Sequence, residues 1–242
     1  MNIGISFINI FIHILQMTND SIIYWIILFA ILSYLLGSFS TAFWFGKWFG
    51  NIDIRQFGSK NAGATNVWRV LSFKIGILVF AIDIMKTFIA VQFVHFVSNL
   101  TINSEFYFQI KILFGICAMI GHIFPLYSSF KGGKGVASMF GIFFGLNPLI
   151  ATVVLGFFII LVALSRIVSL PSICSAFLYL FITLFFNSQK SDTLTIFSIF
   201  ICLVIVFTHR ENIKRLIKRE EGKLFYIIYT IKSPKYLLSL QP

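Results

Sequence analysis

Lys131-Gly132-Gly133-Lys134-Gly135 interrupts a chain that is otherwise overwhelmingly apolar. Glycines let backbone N–H groups approach a ligand with no side chain in the way. Consecutive N–H groups in such a turn form an anion-binding concavity. Lys131 and Lys134 add positive charge, and the apolar segment that follows reads as a helix with its positive dipole end on the loop. The chemistry offered is phosphate binding. The Gly-x-x-x-x-Gly-Lys-[Ser/Thr] spacing of a nucleotide-binding P-loop is absent. The competing reading is a short basic loop that only sets orientation in a membrane.

A second polar stretch, Asp53 to Arg69, is dense in glycine and small hydrogen-bonding residues. Ser59, Thr65 and the amides of Asn61 and Asn66 can donate to phosphate oxygens, and Arg69 can hold two of them at once. The same composition also suits an ordinary ordered turn. Asp83 and Lys86 lie three residues apart inside an apolar run, hence on one helical face. Ionisable groups there are costly, so they are either a site or a structural ion pair. His122, just before the glycine loop, reads equally as a packing or a site histidine.

Near the C-terminus, Thr208 and Glu211 have the spacing of a capping box, so a helix is expected to start there. His209 and Asn212 share a face of that helix. Ile213, Leu216 and Ile217 form an apolar stripe, and Arg210, Lys214, Arg215, Lys218 and Arg219 suit anionic headgroups. No His-Glu-x-x-His metal pattern or Gly-x-Ser-x-Gly nucleophile elbow occurs. Neither a metal nor a cofactor is expected. Cys117, Cys174 and Cys202 all sit in apolar runs, which argues against disulfides.

The elements that must position these residues are membrane helices. Hydrophobic residues make up 58% of the 242 and charged residues only 11%, too apolar for a soluble domain. Seven apolar runs are read as crossings: about 21–45, 75–97, 108–126, 136–146, 150–164, 173–186 and 194–207. The fourth is short for a bilayer. The net charge is +11, and all the lysines and arginines except Lys86, Lys111 and Lys190 lie in segments that can share one side. That side is cytoplasmic by the positive-inside rule, which puts the N-terminus outside. Charges that flank spans do not make a nucleic-acid-binding face. Residues 1–20 and 224–242 read as N- and C-terminal extensions around a single membrane-embedded unit, 21–223.

Taken in order, the motifs resemble one family. They are Gly37-Ser38; Gly58-Ser59 with Asn61, Gly63-Ala64-Thr65-Asn66 and Arg69; Gly121 to Pro125; Phe130 to Ala137; Ser169-Leu170 with Ser172; and His209 to Arg215. Over about Leu35 to Lys218 the chain is similar to the bacterial membrane glycerol-3-phosphate acyltransferases that use acyl phosphate. Ser40, Lys60, Thr87 and Pro171 depart from the usual pattern without removing an expected functional group.

The resemblance implies an all-α, seven-transmembrane-helix bundle, N-terminus outside and C-terminus cytoplasmic, in the bacterial inner membrane. It implies acylation of the 1-hydroxyl of sn-glycerol 3-phosphate, giving lysophosphatidic acid, the first acylation of phospholipid synthesis. Ser59 and Arg69 would belong to the substrate-phosphate pocket. Lys134 with Gly132, Gly133 and Gly135 would form a phosphate loop, His209 and Asn212 would be active-site residues, and one of Ser169 and Ser172 would line the site. Partners would be the two substrates, membrane lipids and the enzyme that makes acyl phosphate.

The chemistry suits the composition. A carboxylic–phosphoric anhydride is already activated, so the protein need only hold two anions together, align the hydroxyl and stabilise charge on the carbonyl oxygen. His209 is a candidate base, and the leaving phosphate could itself take the proton. The reading from a different class is a transporter of an organic phosphate, although repeated halves and a midplane site, usual in transporters, are not evident.

Overall fold

A computed structural model describes residues 20–97, 100, 102, 104–186 and 191–224. Nearly all of both expected extensions and parts of the turns around 99–105 and 187–193 lie outside the described residues. The described chain is helical, with no strand among the described residues. The helices are α1 (Asp20–Ser38), α2 (Thr41–Gly50), α3 (Ala64–Val70), α4 (Phe73–Gln92), α5 (Glu105–Ile123), α6 (Val136–Leu146), α7 (Pro148–Ser165), α8 (Ser169–Phe186), α9 (Asp192–Thr208) and α10 (Arg210–Ile217). Short 3-10 turns cover Ile54–Gln56, Phe93–Phe96 and Leu126–Ser128.

Local sequence fixes where the long helices start. Ser72, Ser104, Asn147 and Ser191 each accept an N–H from the first turn of α4, α5, α7 and α9, at 3.1–3.3 Å. Pro148 follows Asn147 in the first turn of α7, where its missing N–H costs nothing. Small residues let helices touch backbone to backbone. A Cβ on Gly37 would lie 2.0 Å from the Ala118 carbonyl oxygen, and one on Gly121 2.2 Å from that of Tyr34, so α1 and α5 are in close contact. Gly141 does the same between α6 and α4. The core centres on α6, where Met139, Phe140, Ile142 and Phe143 are fully buried and Phe143 stacks on Tyr179 of α8.

Among the described residues, five segments are long and apolar enough to cross a membrane: Ile22–Gly50, Phe73–Phe96, Glu105–Ser128, Pro148–Ser165 and Ser169–Phe186. A sixth arises if α9 and α10, bent by 64°, are one span. α6 has 11 residues. At about 1.5 Å per residue it reaches only about half of a hydrocarbon core of about 30 Å.

Three local expectations differ from the structure. The first apolar run stays one crossing-length segment, Ile22–Gly50, but its helix is interrupted at Phe39–Ser40, where Lys86 Nζ donates to the Phe39 carbonyl at 2.8 Å and Thr41 Oγ1 donates to Asp83 at 2.9 Å. The stretch 53–69, read as a loop, contains the two-turn α3. The capping box does not form. Thr208 ends α9, and its hydroxyl donates to the Lys134 and Ile205 carbonyls at 3.0 and 3.1 Å, while Glu211 pairs with Lys214 at 3.0 Å. A helix does begin at Arg210, by a bend in a continuous chain.

The polar connections are tied together at one end of the bundle. Arg55 Nη1 donates to the Ser128 carbonyl at 2.6 Å, Arg69 Nη2 to the Gly222 carbonyl at 2.7 Å, and the Leu224 N–H to the Arg166 carbonyl at 2.8 Å. Leu224, the first residue of the expected C-terminal extension, is fully buried.

Candidate active site

Asn66 organises the first loop. Its Nδ2 donates to the Ile54 and Phe57 carbonyls at 2.9 and 3.0 Å, and its Oδ1 accepts the Ser59 N–H at 2.8 Å. Gly58 sits at φ +59, and a Cβ there would meet Asn66 Oδ1 at 2.3 Å, so the turn requires glycine. Held this way, the loop and α3 put Ser59, Asn61, Thr65 and Arg69 along one wall of a cleft. Thr65 and Arg69 are four residues apart, on one face of α3.

The glycine loop positions the next wall, made by Lys134 and the start of α6, in a way the sequence does not reveal. The Gly132 N–H donates to the Ile123 carbonyl at 3.2 Å and that of Gly133 to the His122 carbonyl at 3.1 Å. A Cβ on Gly132 would lie 2.0 Å from the His122 carbonyl oxygen, and one on Gly133 2.1 Å from His122 Nε2. These glycines press the loop onto the end of α5. Their N–H groups are engaged there rather than turned to the cleft. Gly135, at φ +87, turns the chain into α6. Val136 and Ala137, the first residues of α6, line the cleft, which therefore receives the positive end of that helix.

The third wall comes from the α9–α10 bend and the start of α8. His209 Nδ1 lies 2.8 Å from the Ile205 carbonyl, which can only accept, so Nδ1 carries a proton and Nε2 is the lone-pair nitrogen of the neutral ring. Lys134 Nζ donates to Asn212 Oδ1. Asn212 Nδ2 donates to Glu221 Oε1 at 2.5 Å, Ser169 Oγ to the same oxygen at 2.8 Å, and Arg215 Nε to Glu221 Oε2 at 2.7 Å. Ser172 Oγ donates to the Val168 carbonyl at 2.8 Å.

The cleft has about 170 Å³ of room. Its polar lining includes Ser59, Asn61, Thr65, Asn66, Arg69, Lys134, Ser169, Ser172, His209, Asn212 and Glu221, and its apolar lining includes Ile77, Phe80, Phe158, Val162 and Val168. Of the residues expected at the site, Lys131 is exposed and does not line the cleft, nor do Gly132, Gly133 and Gly135. Ser169 and Ser172 both do. Sequence reasoning missed Glu221, because nothing local sets it apart from exposed Glu220. It also missed the apolar wall, assembled from α4, α7 and the turn before α8.

The electrostatics are those of an anion site. Arg69, Lys134 and Arg215 face one carboxylate, Glu221. Burial lowers Lys134 to about 8; Arg215 and Arg69 push the same way and Glu221 opposes them. Burial likewise lowers Arg69. For Glu221, burial acts to raise the carboxyl, but the hydrogen bonds from Asn212, Arg215 and Ser169 outweigh it and hold it below the ordinary range. Among the described residues, no group of three or more His, Cys, Asp or Glu could hold a metal ion.

Such a fold and site define a class: an integral membrane protein whose cleft joins an apolar wall to a cationic, hydrogen-bonding end. The family model for glycerol-3-phosphate acyltransferase matches residues 27–219, and the chain belongs to that family. It is 41% identical over 198 residues to a glycerol-3-phosphate acyltransferase of Endomicrobium trichonymphae, covering 82% of this chain and 95% of that one. Among solved structures it is similar to PlsY (YgiH), an integral membrane glycerol 3-phosphate acyltransferase, in its glycerol 3-phosphate form. That match has TM-score 0.73 and 32% identity and covers 86% of this chain and 99% of the other. The lysophosphatidic acid form matches with TM-score 0.70 at 32% identity, over 84% and 98%.

Proposed function

We infer that this protein transfers an acyl group from an acyl phosphate to the 1-hydroxyl of sn-glycerol 3-phosphate, giving lysophosphatidic acid and phosphate. The observation that carries this reading is the joining, in one cleft, of two half-buried cations and a helix N-terminus with an apolar wall. Arg69, Lys134 and the start of α6 would hold the acceptor's phosphate and the donor's. The wall of Ile77, Phe80, Phe158 and Val162 would take the acyl chain. Ser59, Asn61, Thr65, Ser169 and Ser172 supply neutral donors around the anions, and Asn66 holds the loop that presents them.

In the reaction the acceptor hydroxyl oxygen bonds to the acyl carbonyl carbon, the bond from that carbon to the phosphate oxygen breaks, and the electron pair leaves with phosphate. The hydroxyl proton passes to His209 Nε2 or to the departing phosphate. The cations spread the charge that develops on the leaving group. The glycine loop acts by placing Lys134 and α6 rather than through the Gly132 and Gly133 amides.

We place the cleft at the cytoplasmic face of the inner membrane, with seven crossings, an outer N-terminus and an inner C-terminus, and take 21–223 as the catalytic unit. The basic residues gathered at the cleft end support this orientation. The matched family and relatives are acyltransferases, so the transporter reading has no observation of its own.

The test is turnover by purified protein. Palmitoyl phosphate with glycerol 3-phosphate should give lysophosphatidic acid, unchanged in excess EDTA and inhibited by inorganic phosphate, with little product from palmitoyl-coenzyme A. Efficient use of the thioester in a preparation unable to make acyl phosphate would reject the donor.

A further inference from the structure

The geometry points to Glu221 as a positioning residue of the cleft, one that fixes the Asn212 amide and through it the Lys134 ammonium. The inference rests on the acyl-transfer reading above. It concerns a residue just beyond the stretch matched to the family.

Asn212 is buried between two unlike neighbours. A carboxylate can only accept and an ammonium can only donate. With Glu221 Oε1 against one end of the amide, Asn212 must turn its NH₂ to Glu221 and its oxygen to Lys134. The amide cannot flip without setting donor against donor and acceptor against acceptor. Lys134 then has one N–H committed to Asn212 and two left for a ligand. The same Glu221 oxygen receives Ser169 Oγ, so α8 and α10 meet at one carboxylate.

Glu221 is itself held. Arg215 Nε bonds its second oxygen. On either side of it, Arg69 grips the Gly222 carbonyl, and Glu220 N–H donates to the Arg215 carbonyl at 2.8 Å. Leu224 anchors the far end, buried and bonded to Arg166. The segment 219–224 thus runs as a strap tied to α3, α10 and Arg166, with Glu221 as its one residue lining the cleft. The charges facing Lys134 are Arg69 from α3, Arg215 from α10 and Glu221 from the strap, with His209 alongside. Glu221 is the one that favours its charged form.

The experiment is a double-mutant cycle of Glu221→Ala and Asn212→Ala, with Glu221→Gln as the variant that keeps an acceptor oxygen and Glu220→Ala as control. Two readouts are taken: the affinity for inorganic phosphate by titration, and kcat and KM for glycerol 3-phosphate. Expected are a roughly tenfold weaker phosphate affinity and higher KM for Glu221→Ala, and a double variant within about twofold of Asn212→Ala alone, since coupled residues are not additive. Glu221→Gln should bring the alkaline limb of activity to lower pH, because Lys134 loses the carboxylate that favours its proton. Glu220→Ala should behave as wild type. Losses that simply multiply in the double variant, or wild-type phosphate affinity in Glu221→Ala, would overturn the inference. Because phosphate affinity is read without turnover, a wild type that binds phosphate but makes no lysophosphatidic acid would count against the acyl-transfer reading and leave the cycle interpretable.

Discussion

Two clusters of charge lie in this bundle, and they are built on opposite terms. In the first, Asp83 accepts from Lys86 at 2.8 Å and Thr41 at 2.9 Å, with His122 Nδ1 at 3.6 Å, and Lys86 also closes on the Phe39 carbonyl. Each group has a partner inside the protein, and all are buried. In the second, three cations face one carboxylate, at the edge of a cleft. The first is closed and serves a helix break. The second has a surplus of cations over carboxylate, an arrangement that suits binding of an anion. Asp83 and His122 also line the cleft, so the two clusters border the same space.

The largest expected effect is in the closed cluster. Asp83→Ala leaves a buried ammonium uncompensated and should cost about 3–5 kcal/mol of stability, read by denaturation in detergent. Unaltered stability would mean that the cluster does not brace the break at Phe39–Ser40. In the open cluster, Lys134→Ala and Arg69→Ala should leave stability near wild type but lose roughly 1.5–3 kcal/mol each in kcat/KM for glycerol 3-phosphate, about 10- to 150-fold. Unchanged KM and turnover in both would reject the phosphate assignment.

Between the clusters stands His122, with Gly133 against its ring. Gly133→Ala forces a Cβ into the imidazole and should cost about 1–3 kcal/mol, lowering the melting temperature together with activity. A wild-type melting temperature would show that the loop gives way freely.

Lys134 sharpens the contrast by pH. It is charged below about 8 and neutral above, so activity should fall as pH rises through about 8. Lys134→Arg, if active, should lack that limb, since a guanidinium stays charged. The smallest effect belongs to Lys131, exposed and outside the cleft: Lys131→Ala should change kcat/KM by less than about 0.5 kcal/mol.

The helices were legible because apolar runs bounded by Ser, Asn and Pro caps are local signals; α6 has the expected bounds. The break in the first run was not read, although Gly37, Ser38, Ser40 and Thr41 are local stop and start signals; its bond to Lys86 comes from far along the chain. At the candidate site, Ser59, Arg69 and Lys134 stood out as polar groups in an apolar chain, whereas His209 and Asn212 were named through the resemblance of their motif to the family. Their arrangement was not legible. Gly132 and Gly133 looked like an amide cradle, yet their amides meet carbonyls at the end of α5. Glu221 was invisible because its partners, Ser169 and Asn212, come from two other helices.

The central claim, that the open cluster is the acceptor-phosphate site, is tested most directly by equilibrium binding of glycerol 3-phosphate to purified protein without acyl donor. Wild type should bind, Thr41→Val in the closed cluster should bind within about twofold of it, and Lys134→Ala and Arg69→Ala should each bind roughly tenfold or more weakly. Equal affinity in wild type, Lys134→Ala and Arg69→Ala would place the phosphate elsewhere and contradict the claim.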